Sequence, residues 1–215
     1  MKYVFSLGLG AVLALLMISA CSDPNDNVTQ ANTGDAVEVE TAEGKTLSFD
    51  QSTSKVEWRG TKTGGGHDGG FEKFEGTAIV SEDGKTLKQV KVTIDMNSLW
   101  SDEDRKEEPD PKLSNHLKSD DFFSVTEYPN AEFVSSEIKE GGDGGKSHTV
   151  TGNLTLRGVT KSVTFPADIT VKDGKVTAKA EFKIDRHDWN VSFNIPGGEV
   201  ILHDDVAIKL DIATK

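Results

Sequence analysis

This chain has one cysteine, Cys21, in 215 residues. No disulfide can form within it, so it is not a scaffold stapled by cross-links. Positive charge is in deficit as well: Lys and Arg number 24 against 36 Asp and Glu, a formal net charge of −12. So acidic a chain is repelled by phosphate backbones and by anionic lipid surfaces, which excludes nucleic acid as a partner held by bulk charge. Catalytic signatures are missing too. There is no G-x-S-x-G, no HExxH and no phosphate loop. The five histidines (His67, His116, His148, His187 and His203) include no H-x-H or H-x₃-H pair, so no strong metal-ligand spacing is present. Carboxylates are plentiful, but nothing marks two of them as an acid–base pair. These absences point away from an enzyme and away from a bound cofactor or metal.

The one apolar run, from Val4 to Ile18, is too short and too poorly flanked for a stable membrane span. It follows Lys2 and leads into Ile18-Ser19-Ala20-Cys21, which matches the bacterial lipobox, a small-residue cleavage site ending in cysteine. Residues 1–20 are therefore expected to be a lipoprotein signal peptide. Cys21 is the expected lipid attachment, since several acyl chains anchor firmly where one does not. Residues 21–46 read as a flexible acidic tether, because they contain no aromatic residue and too little apolar surface to fold. The expected location is the cell envelope, anchored to a bacterial membrane and facing the periplasm.

From residue 47 onward the period is two. Val56, Trp58 and Gly60 alternate with charged neighbours, then Phe74, Gly76, Ala78 and Val80, then Val90, Val92, Ile94 and Met96. Residues 64–70, GGGHDGG, read as a flexible connection. In the second half, alternating runs centred on Phe133, Leu154, Phe165, Phe182 and Ile208 are separated by glycine turns. About eight short strands with turns between them make a sandwich or a barrel.

One stretch breaks this pattern. In residues 113–133, LSNHLKSDDFFSVTEYPNAEF, Leu113, His116 and Leu117 share one helix face, and Phe122 and Phe123 set two rings beside it. Irregular inserts on β scaffolds often cover a cavity. This stretch resembles the YceI-like family signature HLKSxDFFxxxxYPxAxF. Residues 150–161 resemble the family's VTGxLTxxGVTK hairpin. Trp58, Gly60, Lys62, Gly66, His67 and Gly69 fill a W-x-G-x-K…G-x-H-x-G pattern, and Ile184, Asp185, Arg186 and Trp189 fill I-D-R-x-x-W. The resemblance covers roughly residues 47–213. It implies an all-β fold, an eight-stranded antiparallel lipocalin-like barrel with a short helical insert over 47–215. It also implies binding of a polyisoprenoid or another long apolar lipid.

The expected apolar lining is Trp58, Phe74, Val92, Ile94, Leu113, Leu117, Phe122, Phe123, Phe133, Leu154, Leu156, Phe165, Phe182, Ile184 and Trp189. His67, His116 and Arg186 are candidates for a polar lipid head, against the plainer readings of a helix-fixing hydrogen bond for His116 and a surface ion pair for Arg186. Periodicity cannot separate a hollow barrel from a filled one. Two functions follow. One is non-catalytic binding, storage or transport of a polyisoprenoid, isoprenoid quinone or fatty-acyl-like chain. The other is a filled barrel that docks onto an envelope protein. The oligomeric state, a homodimer included, is not set by the sequence.

Overall fold

A computed structural model describes residues 23–197 and 200–215. The expected signal peptide and Cys21 lie outside the described residues. The strands are β1 (Asn32–Asp35), β2 (Lys45–Ser48), β3 (Lys55–Lys62), β4 (Gly65–Phe71), β5 (Phe74–Val80), β6 (Leu87–Asp95), β7 (Leu99–Ser101), β8 (Asn130–Gly142), β9 (Lys146–Leu156), β10 (Val159–Lys172), β11 (Lys175–Asp185) and β12 (Leu202–Ala213). One α-helix, α1 (Lys112–Lys118), interrupts them. None of the described helices is long and apolar enough to cross a membrane.

The strands form one curled antiparallel sheet, a half-barrel, in the order β2-β5-β6-β8-β9-β10-β11-β12-β3-β4-β7. Its two ends are drawn together by backbone contacts. At one end of the barrel Phe49 bridges Thr214, with the Asp50 N–H on the Ala213 carbonyl at 2.8 Å and the Lys215 N–H on the Ser48 carbonyl at 3.0 Å. At the other end β7, which continues the chain of β6, pairs with β4. The β meander reads clearly in sequence, but the strand count is corrected from about eight to twelve among the described residues. The glycine run expected as a flexible connection is β4. Glycine is required there because the Trp58 ring lies over Gly69 and the Trp100 ring over Gly70, where a Cβ would clash.

The tether is the larger correction. From Asp23 the segment packs on the barrel. Asn25 is 1 % exposed and Ala31 4 %. β10 pairs β9 through its first half and β11 through its second, so β10 and β11 diverge beyond Asp168. The N-terminal segment fills that gap as a stave. Asn32–Asp35 pair with Lys161–Thr164 of β10. On the other side the Ala31 N–H donates to the Lys183 carbonyl and the Lys183 N–H donates to the Thr29 carbonyl, both at 2.9 Å. Backbone pairing needs no large side chains, so composition does not reveal it.

Asp23 begins the stave. Its carboxylate accepts from the Thr61 hydroxyl at 2.7 Å and lies 3.3 Å from His203 Nδ1. Burial pushes the Asp23 carboxyl up, but the Asn25 N–H, the Thr61 hydroxyl and His203 outweigh it and hold the group below 3.8. A carboxyl lowered on folding adds stability that is present above its unfolded value and lost as pH falls through its folded value. The start of the stave is therefore expected to hold through the ordinary carboxylate range and to loosen only at more acid pH. Hydrogen exchange at residues 25–31 across that range checks this. Asp23→Asn is expected to remove the dependence there.

Candidate functional site

The inner face of the barrel encloses a cavity of about 300 Å³ with an almost wholly apolar wall. Ligand pockets begin near this size. The strand alternation builds it by turning every second side chain inward. Val92, Ile94, Phe133, Leu154, Leu156 and Ile208 point inward yet are only partly buried. In a filled core such side chains are buried outright, so the interior is hollow along these staves. At the end closed by Phe49, the wall residues Val56, Leu87, Val150, Ile169, Val176 and Ile212 are fully buried. At the α1 end, Leu113, Leu117, Phe123 and Leu202 are partly exposed. The cavity thus has a floor and a mouth. Phe165 stacks on Phe182 with centroids 4.1 Å apart, and Phe133 lies 5.8 Å from Phe165, so the three rings form one stiff side of the wall.

Of the expected lining, Trp58, Val92, Ile94, Leu113, Leu117, Phe122, Phe123, Phe133, Leu154, Leu156, Phe165, Phe182 and Ile184 lie in the wall. Phe74 and Trp189 do not. Phe74 is core, 4 % exposed. Trp189 is 0 % exposed, with its indole N–H on the Leu154 carbonyl at 3.1 Å. Phe49, Met96, Ala78 and His203 are wall residues that the sequence reading missed. Phe49 has no alternating run to reveal it, and His203 sits at a β-bulge where the register of β12 on β3 shifts. Trp58 Nε1 is the one buried side-chain polar atom among the described residues without a hydrogen-bond partner.

Besides the Trp58 indole N–H, the wall carries three polar groups, all at the mouth. Arg186 is 6 % exposed. Its guanidinium donates to the Val191 carbonyl at 2.6 Å, the His203 carbonyl at 3.3 Å and Asp204 Oδ1 at 3.2 Å. Its plain reading as the partner of a surface carboxylate is therefore only one third of its work, since it also ties β12 to the loop after Trp189. We expect Arg186→Ala to cost about 3 kcal/mol by stranding these carbonyls. That is a fall in Tm on the order of 10 °C. Arg186→Lys should not restore it, because an ammonium cannot span three acceptors set for a planar fork. Thermal melts of the two variants decide.

His203 Nδ1 is 2.9 Å from the Thr61 hydroxyl. His67 Nδ1 is 3.0 Å from Asp102 Oδ1 and 3.6 Å from Glu103 Oε1. These three side chains place one imidazole and two carboxylates within reach of a single ion, a grouping no spacing in the sequence announces because β4 and the turn after β7 supply it jointly. His116 is not in the wall. Its Nε2 is bonded to Asp121 at 2.9 Å and its ring meets Phe122 and Phe193 edge-on at 5.1 and 4.8 Å. It fixes the lid formed by α1 and the Phe122 loop.

The model of the YceI-like domain matches residues 47–214. This chain belongs to the YceI-like family. Among curated YceI-like relatives, a UPF0312 protein of Pseudomonas aeruginosa is 40 % identical over 101 residues, 47 % of this chain and 48 % of that one. Protein YceI of Salmonella arizonae is 34 % identical over 133 residues, covering 59 % and 64 %. The chain thus spans about half to two thirds of the length of these relatives. The crystal structure of BcnA from Burkholderia cenocepacia superimposes with a TM-score of 0.64 at 26 % identity, over 78 % of this chain and 99 % of that one. A polyisoprenoid binding domain from Saccharophagus degradans, implicated in plant cell wall breakdown, gives a TM-score of 0.57 at 14 % identity, over 80 % and 99 %. That likeness shows the fold. The matched family range begins after the stave, so the N-terminal seal of the β10–β11 gap lies outside it.

Proposed function

We propose that this YceI-like chain binds a long apolar lipid in its barrel, without catalysis, and stores or carries it. The hollow apolar interior carries the reading. Each methylene moved from water into such a wall contributes about 0.8 kcal/mol, so a long chain is held without any reaction or specific polar contact. The same fold serves as a polyisoprenoid binding domain in Saccharophagus degradans, and a prenyl or similarly long chain is the ligand class proposed here. The filled-barrel alternative finds less support. Its docking surface would be a contiguous apolar patch, whereas the exposed large apolar residues among those described are Val37 and Ile201, from separate parts of the chain.

The proposed setting is the bacterial envelope, with the chain cleaved before Cys21 and acylated there. Asp23 is pinned at the cavity mouth through Thr61 and His203. Two residues span at most about 7 Å, so an acyl anchor on Cys21 would hold the mouth close to the bilayer, not at the end of a long leash. Uptake of a fluorescent long-chain prenyl or acyl probe by the chain from Ser22 onward tests the binding claim. Saturable uptake near one probe per chain is expected, and no saturable uptake would contradict it. Metabolic labelling with a palmitate analogue, lost in Cys21→Ser, tests the anchor.

A further inference from the structure

Each of the three polar groups of the cavity wall already faces a carboxylate. Arg186 is 3.2 Å from Asp204, His203 is 3.3 Å from Asp23, and His67 is 3.0 Å from Asp102 and 3.6 Å from Glu103. Two neighbouring basic groups are likewise paired. Lys106 is already on Glu103 at 2.6 Å, and His187 lies between Asp185 and Asp204 at 3.0 and 3.6 Å. Asp23, Asp102, Glu103 and Asp204 therefore stand around the three polar groups of the wall.

An anionic head entering here would meet those carboxylates. It would also lose its water without a donor from Arg186 to replace it, since that guanidinium is saturated by two carbonyls and Asp204. We propose that the cavity selects lipids with an uncharged head, and rejects the carboxylate or phosphate of the same chain. This rests on the lipid-binding reading above and narrows it. The polar groups at the mouth then act as a charge filter and a structural clasp, not as a receptor for a head group.

The test compares geranylgeraniol with geranylgeranyl phosphate, which share one chain, by displacement of a fluorescent probe at low and high salt. The alcohol is expected to bind more than about 10-fold more tightly at low salt, because like charges brought together cost several kcal/mol. The gap should narrow as salt screens the rim. The double variant Asp102→Asn, Glu103→Gln is expected to raise phosphate affinity several-fold and leave alcohol affinity unchanged. Equal or tighter binding of the phosphate by the unaltered chain would overturn the proposal. Binding of neither compound would instead remove the lipid reading on which it rests.

Discussion

Ala178→Phe is expected to weaken lipid binding on the order of 100-fold while leaving the melting temperature unchanged or higher. Ala178 lies on β11 between Ile169 and Ile212, faces the cavity and is only partly buried. A phenyl ring there enters open space instead of packed atoms. In a filled barrel the same change would overpack the core and cost about 1–3 kcal/mol. In a hollow one it takes the volume of about four methylenes of ligand. At about 0.8 kcal/mol each, their loss weakens binding on the order of 100-fold. Lys179→Phe, one residue along and facing outward beside Asp211, should leave affinity unchanged. Probe titration and thermal melts of both variants check the pair. A destabilised Ala178→Phe that still binds normally would mean the interior is core and the ligand sits elsewhere.

The second large effect comes from the N-terminus. A chain beginning at residue 47 retains the whole range matched by the family yet loses the stave between β10 and β11. It strips partners from residues 161–164 of β10 and from Lys183, and uncovers surface now shielded by Ala31 and Asn25. With several backbone hydrogen bonds lost at about 1 kcal/mol net each, the expected cost is on the order of 5 kcal/mol, a large share of typical domain stability. Relative to a chain beginning at Asp23, Tm should fall by about 10–20 °C. The exposed strand edges should also make the shorter chain prone to association. Equal melting of the two would show that residues 23–46 behave as the free tether their composition suggests.

How far the sequence reveals this molecule follows from what each part is made of. Staves with a buried inner face announce themselves by alternation, as Val90, Val92 and Ile94 do, and the helical insert is legible from Leu113, His116 and Leu117. β4 is hidden because four of its seven residues are glycines, Gly69 and Gly70 among them packed under the Trp58 and Trp100 rings, and glycine carries no pattern. β1 is hidden because it contributes hydrogen bonds instead of side chains. The lining was largely readable, since an inward apolar residue is inward in a hollow barrel and a filled one alike. Hollowness was not, because it depends on barrel radius. Trp189 and Phe74 illustrate the same point: both are apolar and buried, Trp189 with its indole N–H on the Leu154 carbonyl and Phe74 opposite Ile94, yet neither lines the cavity. The role of His67, and two of the three contacts of Arg186, depend on partners more than 15 residues away in the chain, which no local motif encodes.

The most direct test of the central claim is mass spectrometry of organic extracts from purified protein beginning at Ser22, which carries no acyl anchor of its own. We predict one long-chain, uncharged lipid at close to one molecule per chain, absent from extracts of Ala178→Phe. An extract free of lipid, from protein that also fails to take up prenyl or acyl chains when they are supplied, would contradict the account.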